Sequence, residues 1–298
     1  MARMTNTGSG EALAAQLYAE RKSKMNGAKL QSLLLKILVY AAAALTFGAL
    51  ICLIAYILIK GIPNLSLDLF RFEYNSENVS LFPALVNTVT MTGLSLIIAV
   101  PLGVFSAIYL VEYAKRGNKL VGLVRITTET LQGIPSIVYG LFGFLLFVNT
   151  LGWGYSLLAG AFTLVIMILP VIMRTTEEAL KAVPDSFREG SFGLGAGKLR
   201  TVFRIVLPSA VPGILAGVVL SVGRIVGETA ALIYTAGTVA QIPPGLMGSG
   251  RTLAVHMYAL WSEGLNTNQS YATAVVLLII VVLLNAASSA LAKKISKR

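Results

Sequence analysis

The chain has 298 residues, of which 56% are hydrophobic and only 12% are charged, and its mean hydropathy is +0.78. This composition excludes a soluble globular domain and indicates an all-α polytopic membrane protein. Although the formal net charge is +11, the basic residues flank apolar stretches instead of forming one stripe, so we expect no nucleic-acid partner. Cys52 is the single cysteine, and the chain has no Gly-Lys-Ser/Thr phosphate loop. We therefore expect no intrachain disulfide, no metal site, no cofactor and no ATP bound through such a loop.

The N-terminal part of the chain divides into three segments. Residues 1–32 are polar, and the apolar stretch behind them is too long for a cleaved signal peptide, so we interpret them as a mobile cytoplasmic tail. Residues 33–60 form an apolar stretch that is long enough to cross a hydrocarbon core of about 30 Å as a first transmembrane helix. Residues 61–81 carry four charged side chains and are expected to form an external loop.

Five further apolar stretches predict five more transmembrane helices. They cover residues 82–111, 126–148, 155–173, 208–235 and 271–291. Pro101 and Gly103 predict a kink in the first of these five, and a short turn at residues 149–154 makes the next two a hairpin. A long segment with prolines and glycines before the last stretch is expected to be external, and residues 294–298 form the C-terminus.

The distribution of lysine and arginine predicts how the spans are oriented. With six spans, 20 of the 24 basic residues fall on the side that holds both termini, and only 3 fall on the other side. Loops with an excess of lysine and arginine remain in the cytoplasm. We therefore expect both termini and the loop at residues 174–208 to be cytoplasmic.

The loop at residues 174–208 is the longest polar interruption of the apolar sequence. Ser186 and Glu189 have the spacing of a capping box, which predicts the start of a short helix of about 13 Å. Pro184 is expected to end a preceding helix at residues 176–183, and the glycines that follow are expected to end the new helix. A short capped helix outside the bilayer suits insertion into a groove of a partner protein.

The predicted third span contains residues that are unusual at membrane depth. Pro135 lies among large apolar side chains and removes a backbone hydrogen bond, so the freed carbonyl must find a partner or line a cavity. Gly140 and Gly143 allow another helix to approach closely. The pattern predicts either a kink that only serves packing or a segment that lines a path.

Charged residues within or beside spans are the candidate site residues. Arg224 and Glu228 lie four residues apart in the predicted fifth span, which on one helix places them within ion-pair reach. An arginine at membrane depth is costly and faces a bundle interior or a water-filled path. The pair is therefore either a self-satisfied contact that fixes packing or part of a substrate path. Arg174, at the end of the fourth span, is either an anchor at the membrane interface or a further member of that path.

His256 is the only histidine, and it lies in the predicted external segment. A lone histidine is more often structural than a ligand or a catalytic base. No constellation of nucleophile and base accompanies it, so we expect no catalytic residues and no enzymatic activity in this chain.

The polar loop also carries a family resemblance. Five of its residues have the spacing of the cytoplasmic signature loop of ABC importer permeases, which the chain resembles. These residues are Glu189, Gly195, Ile205, Leu207 and Pro208. Gly190 and Ser191 stand where that signature has two alanines, so both positions still hold small residues, although of different types. In that family the loop forms the coupling helix that docks on a separate ATPase subunit.

The resemblance implies which residues couple the permease to the ATPase and which line the path. The implied coupling residues are Ser186, Arg188, Glu189, Gly190 and Gly195. The third-span stretch and the run Gly227–Ala230 narrow the resemblance to permeases of phosphate transport systems, of the PstA type. In this interpretation Arg224, Glu228 and Arg174 line the anion path.

The resemblance covers residues 82–293, a permease domain of five helices, and the subfamily also carries the extra first span at residues 33–60. It implies a type I ABC importer permease fold, all-α, with six transmembrane helices. The chain is expected to form half of the translocation path of an ATP-driven importer in the bacterial inner membrane.

The resemblance also implies the partners. They are a second homologous permease chain, two ATPase subunits, an external phosphate-binding protein, inorganic phosphate and membrane lipid. Two alternatives remain open. One is an ABC permease for another substrate, such as molybdate or an amino acid, and the other is a subunit that signals phosphate status.

Overall fold

The computed structural model describes residues 8–115 and 117–296. All regular structure among these residues is helical, which confirms the predicted all-α class. The chain divides into two compact units, residues 1–57 and residues 58–298. In the first unit the described residues lie in helix α1, Gly8–Gly61, whose last residues belong to the second unit.

Helix α1 corrects the division predicted for the N-terminal segment. Residues 1–32 are predicted to be a mobile tail separate from the first span, but their described part is helical and continuous with it. Alanine, glutamate and lysine are frequent at residues 11–24, and these strong helix formers let the helix extend beyond the apolar segment. Residues 1–7 of the predicted tail, and residues 297–298 of the predicted C-terminus, lie outside the described residues.

The second unit is a bundle of helices of very different lengths. In chain order they are α2 Phe82–Ile108, α3 Lys119–Gln132, α4 Ser136–Gly143, α5 Leu157–Lys181, α6 Asp185–Gly193, α7 Lys198–Thr201, α8 Leu207–Val226, α9 Ala230–Thr235, α10 Leu253–Glu263 and α11 Thr267–Ser296. Wider π-helical turns follow α2 at Tyr109–Tyr113, follow α4 at Phe144–Thr150, and precede α8 at Val202–Val206.

Five segments in the described part of the chain are long and apolar enough to cross a membrane. They are Gln31–Asn64, Phe82–Tyr113, Leu157–Lys181, Lys198–Val226 and Thr267–Ala287. A sixth span is obtained when Lys119–Gln132 and Ser136–Thr150, which are bent by 104°, are counted as one. With the bent pair counted as one, six candidate spans follow one another in the predicted order; the predicted third span is broken, and so is the fifth, whose helix α8 ends at Val226.

The predicted third span, residues 126–148, is wrong as a single continuous helix. Helix α3 ends at Gln132 and α4 begins at Ser136. Pro135 has no N–H to continue the helical hydrogen bonds, and its ring disfavours a helical conformation of the residue before it. The hydroxyl of Tyr139 donates to the carbonyl of Leu131 at 2.7 Å, beside the N–H of Ile134 that the same carbonyl accepts at 3.2 Å, so α4 is tied back to the end of α3.

Two glycines of the broken span allow the close contact that the sequence predicts. A Cβ atom at Gly140 would lie 2.8 Å from the Cα of Ala231 in α9. A Cβ atom at Gly143 would overlap Thr163 of α5 and lie 2.9 Å from Cγ2 of Thr235 in α9. The short helices α4 and α9 therefore pack backbone against backbone, which larger side chains would prevent.

The core of the second unit is built around α5. Leu164, Ile168 and Ile172 are fully buried there and belong to a cluster with side chains of α2, α8 and α9. A Cβ atom at Gly103 of α2 would lie 2.7 Å from the side chain of Ile172, so this glycine lets α2 pack closely on α5. The charged groups described below are attached to this central helix or to its direct neighbours.

The long segment between α9 and α10 covers the start of α5. The N–H groups of Leu157 and Leu158 donate to the carbonyls of Gly248 and Leu246, at 3.0 and 2.9 Å. The hydroxyl of Ser156 accepts from the third residue of the helix. These bonds satisfy donors of the first turn that have no partner within the helix. The segment is therefore packed against the bundle by specific contacts.

Candidate coupling loop and transmembrane charges

The polar loop begins later in the structure than the sequence predicts. Helix α5 runs without a break from Leu157 to Lys181. The separate helix predicted for residues 176–183 is therefore wrong, because most of it is the end of the span. The change from apolar to polar residues at Arg174 ends the apolar stretch but not the helix, since glutamate, leucine and lysine are good helix formers.

Helix α6 begins one residue before Ser186, so the predicted capping box is wrong. Pro184 precedes the helix with φ −57° and ψ 139°, and no side chain caps the helix start. The carbonyl of Pro184 accepts the N–H of Phe187 at 3.2 Å. Ser186 is thus the second helical residue and, like Glu189, is exposed. Asp185 places a negative charge in the first turn, where the helix dipole favours it.

The other end of α6 is closed by Gly195, as the sequence predicts. The N–H of Ala196 donates to the carbonyl of Ser191 at 3.1 Å, and the N–H of Gly195 donates to that of Phe192 at 2.9 Å. Gly195 has a φ of +78°, so these two bonds form a Schellman motif around a left-handed residue. No atom of the described chain lies within 4 Å of the position of a Cβ at Gly195. Backbone conformation and not space therefore limits what can replace it.

Helix α6 presents residues of mixed chemistry on its accessible side. Phe187 is half exposed and Leu194 is 91% exposed. Large apolar side chains beside an exposed carboxylate are typical of a surface that a partner protein covers. Four of the five predicted coupling residues are exposed in this chain. They are Ser186, Glu189, Gly190 and Gly195.

Arg188 is the exception, because its guanidinium is engaged inside the chain. Its Nε and Nη2 donate to the same oxygen of Glu112, at 3.1 and 2.8 Å. Nη2 also donates to the carbonyl of Leu180 at 2.9 Å. Nη1 donates to the carbonyl of Val183 at 2.8 Å and to the carboxylate of Asp185 at 3.1 Å. Arginine has five N–H donors, and these bonds use them all, so the guanidinium of Arg188 is engaged within this chain.

The ion pair predicted between Arg224 and Glu228 is not formed. Helix α8 ends at Val226, and residues 227–229 break the predicted fifth span before α9 begins. The turn that would place the two charges on one helix face is therefore missing. Oε1 of Glu228 instead accepts the N–H of Ala231 at 3.0 Å, and the residue is only 8% exposed. Glu228 supports the start of α9, although the sequence pairs it with Arg224.

Arg224 lies in the last turn of α8 and is partly buried. Its side chain forms no hydrogen bond and no ion pair with any other residue that the structure describes. A partly buried guanidinium without a carboxylate partner keeps its donors available to an anion.

Arg174 is paired with carboxylates of this chain. Its guanidinium contacts Glu129 in α3 and Glu178 one turn further along α5, the latter at 2.9 Å. Neighbouring cations of α3 and α5 share Glu177 in the same way, and these groups surround a cavity of about 130 Å³. The contacts join α3 to α5, so in this conformation the guanidinium of Arg174 is engaged by carboxylates and is not a free anion ligand.

A family of known proteins matches the chain. The family described as "binding-protein-dependent transport system inner membrane component" matches residues 99–298, about two thirds of the sequence. The chain belongs to this family. A probable ABC transporter permease protein of Bacillus subtilis, YqgI, is 35% identical in an alignment of 243 residues that covers 75% of this chain and 81% of that protein.

Relatives whose names state a substrate align with smaller shares of this chain. The phosphate transport system permease protein PstA 1 of Mycobacterium tuberculosis is 44% identical over 157 residues, 53% of this chain and 50% of that protein. The PstA protein of Pasteurella multocida is 41% identical over 197 residues, 65% of this chain and 70% of that protein. The matched part of this permease thus spans about half the length of the mycobacterial relative.

Solved structures resemble the permease in fold. A bacterial alginate ABC transporter has a TM-score of 0.59 at 18% identity, with 85% of this chain and 95% of that chain covered. An inward-facing MetNI methionine ABC transporter has a TM-score of 0.57 at 22% identity, with 72% and 94% covered. The fold and the family confirm the type I ABC importer permease predicted from the sequence. The permease is therefore a multi-pass inner-membrane transport component and not an enzyme.

Two polar residues, Arg251 and His256, are buried at the opposite end of α2 from α6. Arg251 is only 4% exposed, and His256 is fully buried. The guanidinium of Arg251 lies 4.9 Å from the ring centroid of Tyr74, and that ring meets His256 edge-on. These contacts fasten the segment before α2 to α10, and the burial of His256 supports its predicted structural role. Hydropathy gives no signal for contacts between residues so far apart in the chain.

We expect the burial of His256 to make the stability of the permease depend on pH. Burial first, and then the charge of Arg251, lower the pKa of His256 from 6.5 to about 3, against a smaller opposite effect of the Val79 backbone. Below pH 6.5 the unfolded imidazole takes up a proton that the folded one refuses until about pH 3. The free energy of unfolding should therefore fall by about 1.4 kcal/mol for each pH unit below 6.5.

The control for this prediction is His256→Gln, which lacks the titrating group. Thermal unfolding of both purified proteins in detergent, between about pH 7 and about pH 4, measures the difference in pH dependence. The wild-type protein should lose more stability than the variant as the pH falls. Equal losses would show that His256 is not held neutral in the folded state.

Proposed function

We propose that this permease is a subunit of an ATP-driven importer of inorganic phosphate, in which it forms half of the translocation path. The observation that carries the proposal is Arg224, a partly buried cation at the end of a span with no carboxylate partner among the described residues. A guanidinium stays charged at neutral pH and can donate two parallel hydrogen bonds to phosphate oxygens. The identity of 41–44% to proteins named for phosphate transport supports the same substrate.

Glu228 and Arg174 have different roles in this proposal. Glu228 uses its carboxylate to support α9, so its negative charge is engaged close to the backbone and does not neutralise Arg224. It positions the half-helix that packs on α4 beside the path. Arg174 fixes α3 to α5 through Glu129 and Glu178, and it becomes an anion ligand only if transport opens these pairs.

The partner of α6 in this proposal is a separate ATPase subunit. The exposed Phe187, Glu189 and Leu194 form a surface that such a subunit can cover. A second homologous permease chain would supply the other half of the path and a second coupling helix for a second ATPase. An external phosphate-binding protein would deliver the anion, and the family description, which names a binding-protein-dependent system, supports this partner. ATP-driven movement of both coupling helices would then alternate the path between outward and inward openings.

The proposal requires α6 and both termini to lie in the cytoplasm, as the asymmetry of lysine and arginine predicts. Single cysteines at Ser76 and Asn268, in a Cys52→Ser background, should react with an impermeant thiol reagent added outside the cell. A cysteine at Ser186 should react only after the membrane is opened. All three positions are exposed in this chain, so accessibility within the chain does not bias the comparison. The reverse labelling pattern would show that the orientation is inverted.

Coupling through α6 predicts a strict requirement at Gly195. Gly195→Val should strongly reduce phosphate uptake with the protein still inserted in the membrane, because a β-branched residue is strained at a φ of +78°. The strain of a side chain in this conformation is about 1–2 kcal/mol. Gly195→Asn should retain most uptake, because asparagine tolerates the left-handed conformation. Glu189→Lys, which reverses an exposed charge, should reduce uptake without changing the helix.

The matched control is Gly193→Ala, in the last turn of the same helix. No atom of the described chain lies within 4 Å of a Cβ at this position, and its φ is not positive. Uptake of radiolabelled phosphate and the amount of ATPase that co-purifies with the permease are measured for all four variants. Normal uptake by both Gly195→Val and Glu189→Lys would contradict the coupling role of α6.

Arg224 should be required for transport and not for assembly. Arg224→Gln should abolish phosphate uptake, while the complex still assembles and hydrolyses ATP, because the variant removes the charge that binds the anion. Arg224→Lys should recover little uptake, since lysine offers a point charge without the two-pronged geometry. Glu228→Gln should be milder, because an amide oxygen can still accept the N–H of Ala231. Normal uptake by Arg224→Gln would remove this residue from the path.

A further inference from the structure

The loop that carries α6 is fastened to the end of α2, an element far from it in the sequence. Glu112 lies in the π-helical turn that follows α2, and its carboxylate accepts two N–H groups of Arg188. The two side chains are only 9% and 15% exposed. Salt and water screen such a shielded pair much less than an exposed one.

A second contact joins the same two regions. Nζ of Lys198, in α7, lies 5.1 Å from the ring centroid of Tyr113, at a distance typical of a cation–π contact. The hydroxyls of Ser191 in α6 and Thr201 at the end of α7 share a hydrogen bond of 2.8 Å, which joins α6 to α7. The joined helices therefore hold two adjacent residues, Glu112 and Tyr113, at the end of α2.

Apolar side chains continue this connection into the bundle. The end of α2 packs in one buried cluster with the end of α5 and the start of α8. The cluster consists of Ala107, Ile108, Leu180, Val183, Val202, Val206, Ala210 and Ile214. From here α2 runs along α5 and α8 to the opposite end of the bundle. A force on α6 can therefore reach α2, although the two helices are not consecutive in the sequence.

We propose that the Arg188–Glu112 pair, called the latch below, transmits the movement of α6 to α2 during transport. The proposal rests on the proposed function, because it requires an ATPase that moves α6. Arg188 is a positioning residue, which contacts neither substrate nor ATPase and acts through Glu112. Without the latch, α2 would follow α6 through the cation–π contact and through apolar contacts, which are non-directional and permit sliding.

The latch is stiff because the guanidinium has no donor to spare. Arg188 also holds the carbonyls of Leu180 and Val183, so the end of α5, the start of α6 and the end of α2 meet at one side chain. Separating Arg188 from Glu112 would leave a shielded carboxylate without its counter-ion, which costs far more than opening an exposed pair. A rotation of α6 is therefore accompanied by a displacement of α2.

The test measures how much phosphate the whole complex imports into proteoliposomes for each ATP that it hydrolyses. Arg188→Gln and Glu112→Gln should each lower this ratio roughly threefold to thirtyfold, with the complexes assembled and still hydrolysing ATP. The ratio of the double variant should be no lower than that of the more impaired single variant, because both substitutions remove the contact between Arg188 and Glu112. Arg188→Lys should not restore the ratio, since it keeps the charge but loses the fork.

A merely structural role of the pair predicts a different result. The amount of assembled complex would fall, and the ratio measured per complex would stay at the wild-type value. The matched control is Lys181→Gln, which removes a cation at the same end of the bundle whose partner, Glu177, lies one turn away on the same helix. Its ratio should stay unchanged. Wild-type ratios in both latch variants, or losses that add up in the double variant, would overturn the latch.

A second measurement separates the latch from the choice of substrate. Spin labels at Ile97 in α2 and Ile279 in α11, both exposed positions, report the movement of α2 when ATP is added to the complex. In a Cys52→Ser background the distance between the labels should change with ATP, and Glu112→Gln should abolish this change. If the ATP-dependent change in distance persists in Glu112→Gln, the latch is overturned. This result does not depend on whether the complex imports phosphate or another anion. A wild-type complex that imports no phosphate but shows the latch-dependent movement would overturn the phosphate assignment alone.

Discussion

A helix that breaks inside a membrane protein frees backbone N–H and C=O groups, and the chain itself must satisfy them, because hydrocarbon offers no partner. Two spans of this permease break, before α4 and before α9, and at each break a side chain forms a hydrogen bond with the backbone. The hydroxyl of Tyr139 donates to the carbonyl of Leu131, and the carboxylate of Glu228 accepts the N–H of Ala231. The two half-helices that result then pack closely at Gly140, so each break helps to hold the other in place.

The same constraint explains why Arg224 has no carboxylate partner among the residues that the structure describes. A continuous helix would have placed Glu228 one turn from Arg224 and paired the two charges. The break at residues 227–229 instead leaves the first donors of α9 without helical partners, and Glu228 is the nearest acceptor. Satisfying the backbone of α9 thus removes the carboxylate from Arg224. The availability of this cation follows from a backbone requirement.

Much of the fold could be predicted from the sequence, because hydropathy averages over about twenty residues and tolerates local errors. Local features could be predicted where one residue decides them, as with Pro135 at the first break and Gly195 at the end of α6. The capping box failed because Pro184 fixes the backbone one residue earlier than Ser186 could. The second break contains no proline, so the sequence gives no sign that α8 ends before Glu228. The four-residue spacing therefore wrongly predicted an ion pair between Arg224 and Glu228.

Contacts between distant residues had no sequence signal at all. Arg188 and Glu112 are 76 positions apart, and each looks like an ordinary charge beside a span. Their pairing depends on α2, α5 and α8 packing at one apolar cluster, which no local pattern encodes. The burial of Arg251 has no local signal either, because Tyr74, whose ring lies against its guanidinium, is far away in the sequence.

The arginines of this permease carry the same charge, but they differ in how many of their N–H donors already have a hydrogen-bond acceptor. Arg188 has acceptors for all five, Arg174 is paired with two carboxylates, and Arg224 has no partner among the described residues. A contact that transmits movement must resist displacement, and a saturated guanidinium does so because every displacement breaks a bond. A contact that passes an anion must form and break in each cycle, so its donors must be available at rest. Among these three arginines, the saturated one lies beside α6, where the proposal requires movement to be transmitted, and the unpaired one lies beside the broken spans, where the proposal places the anion.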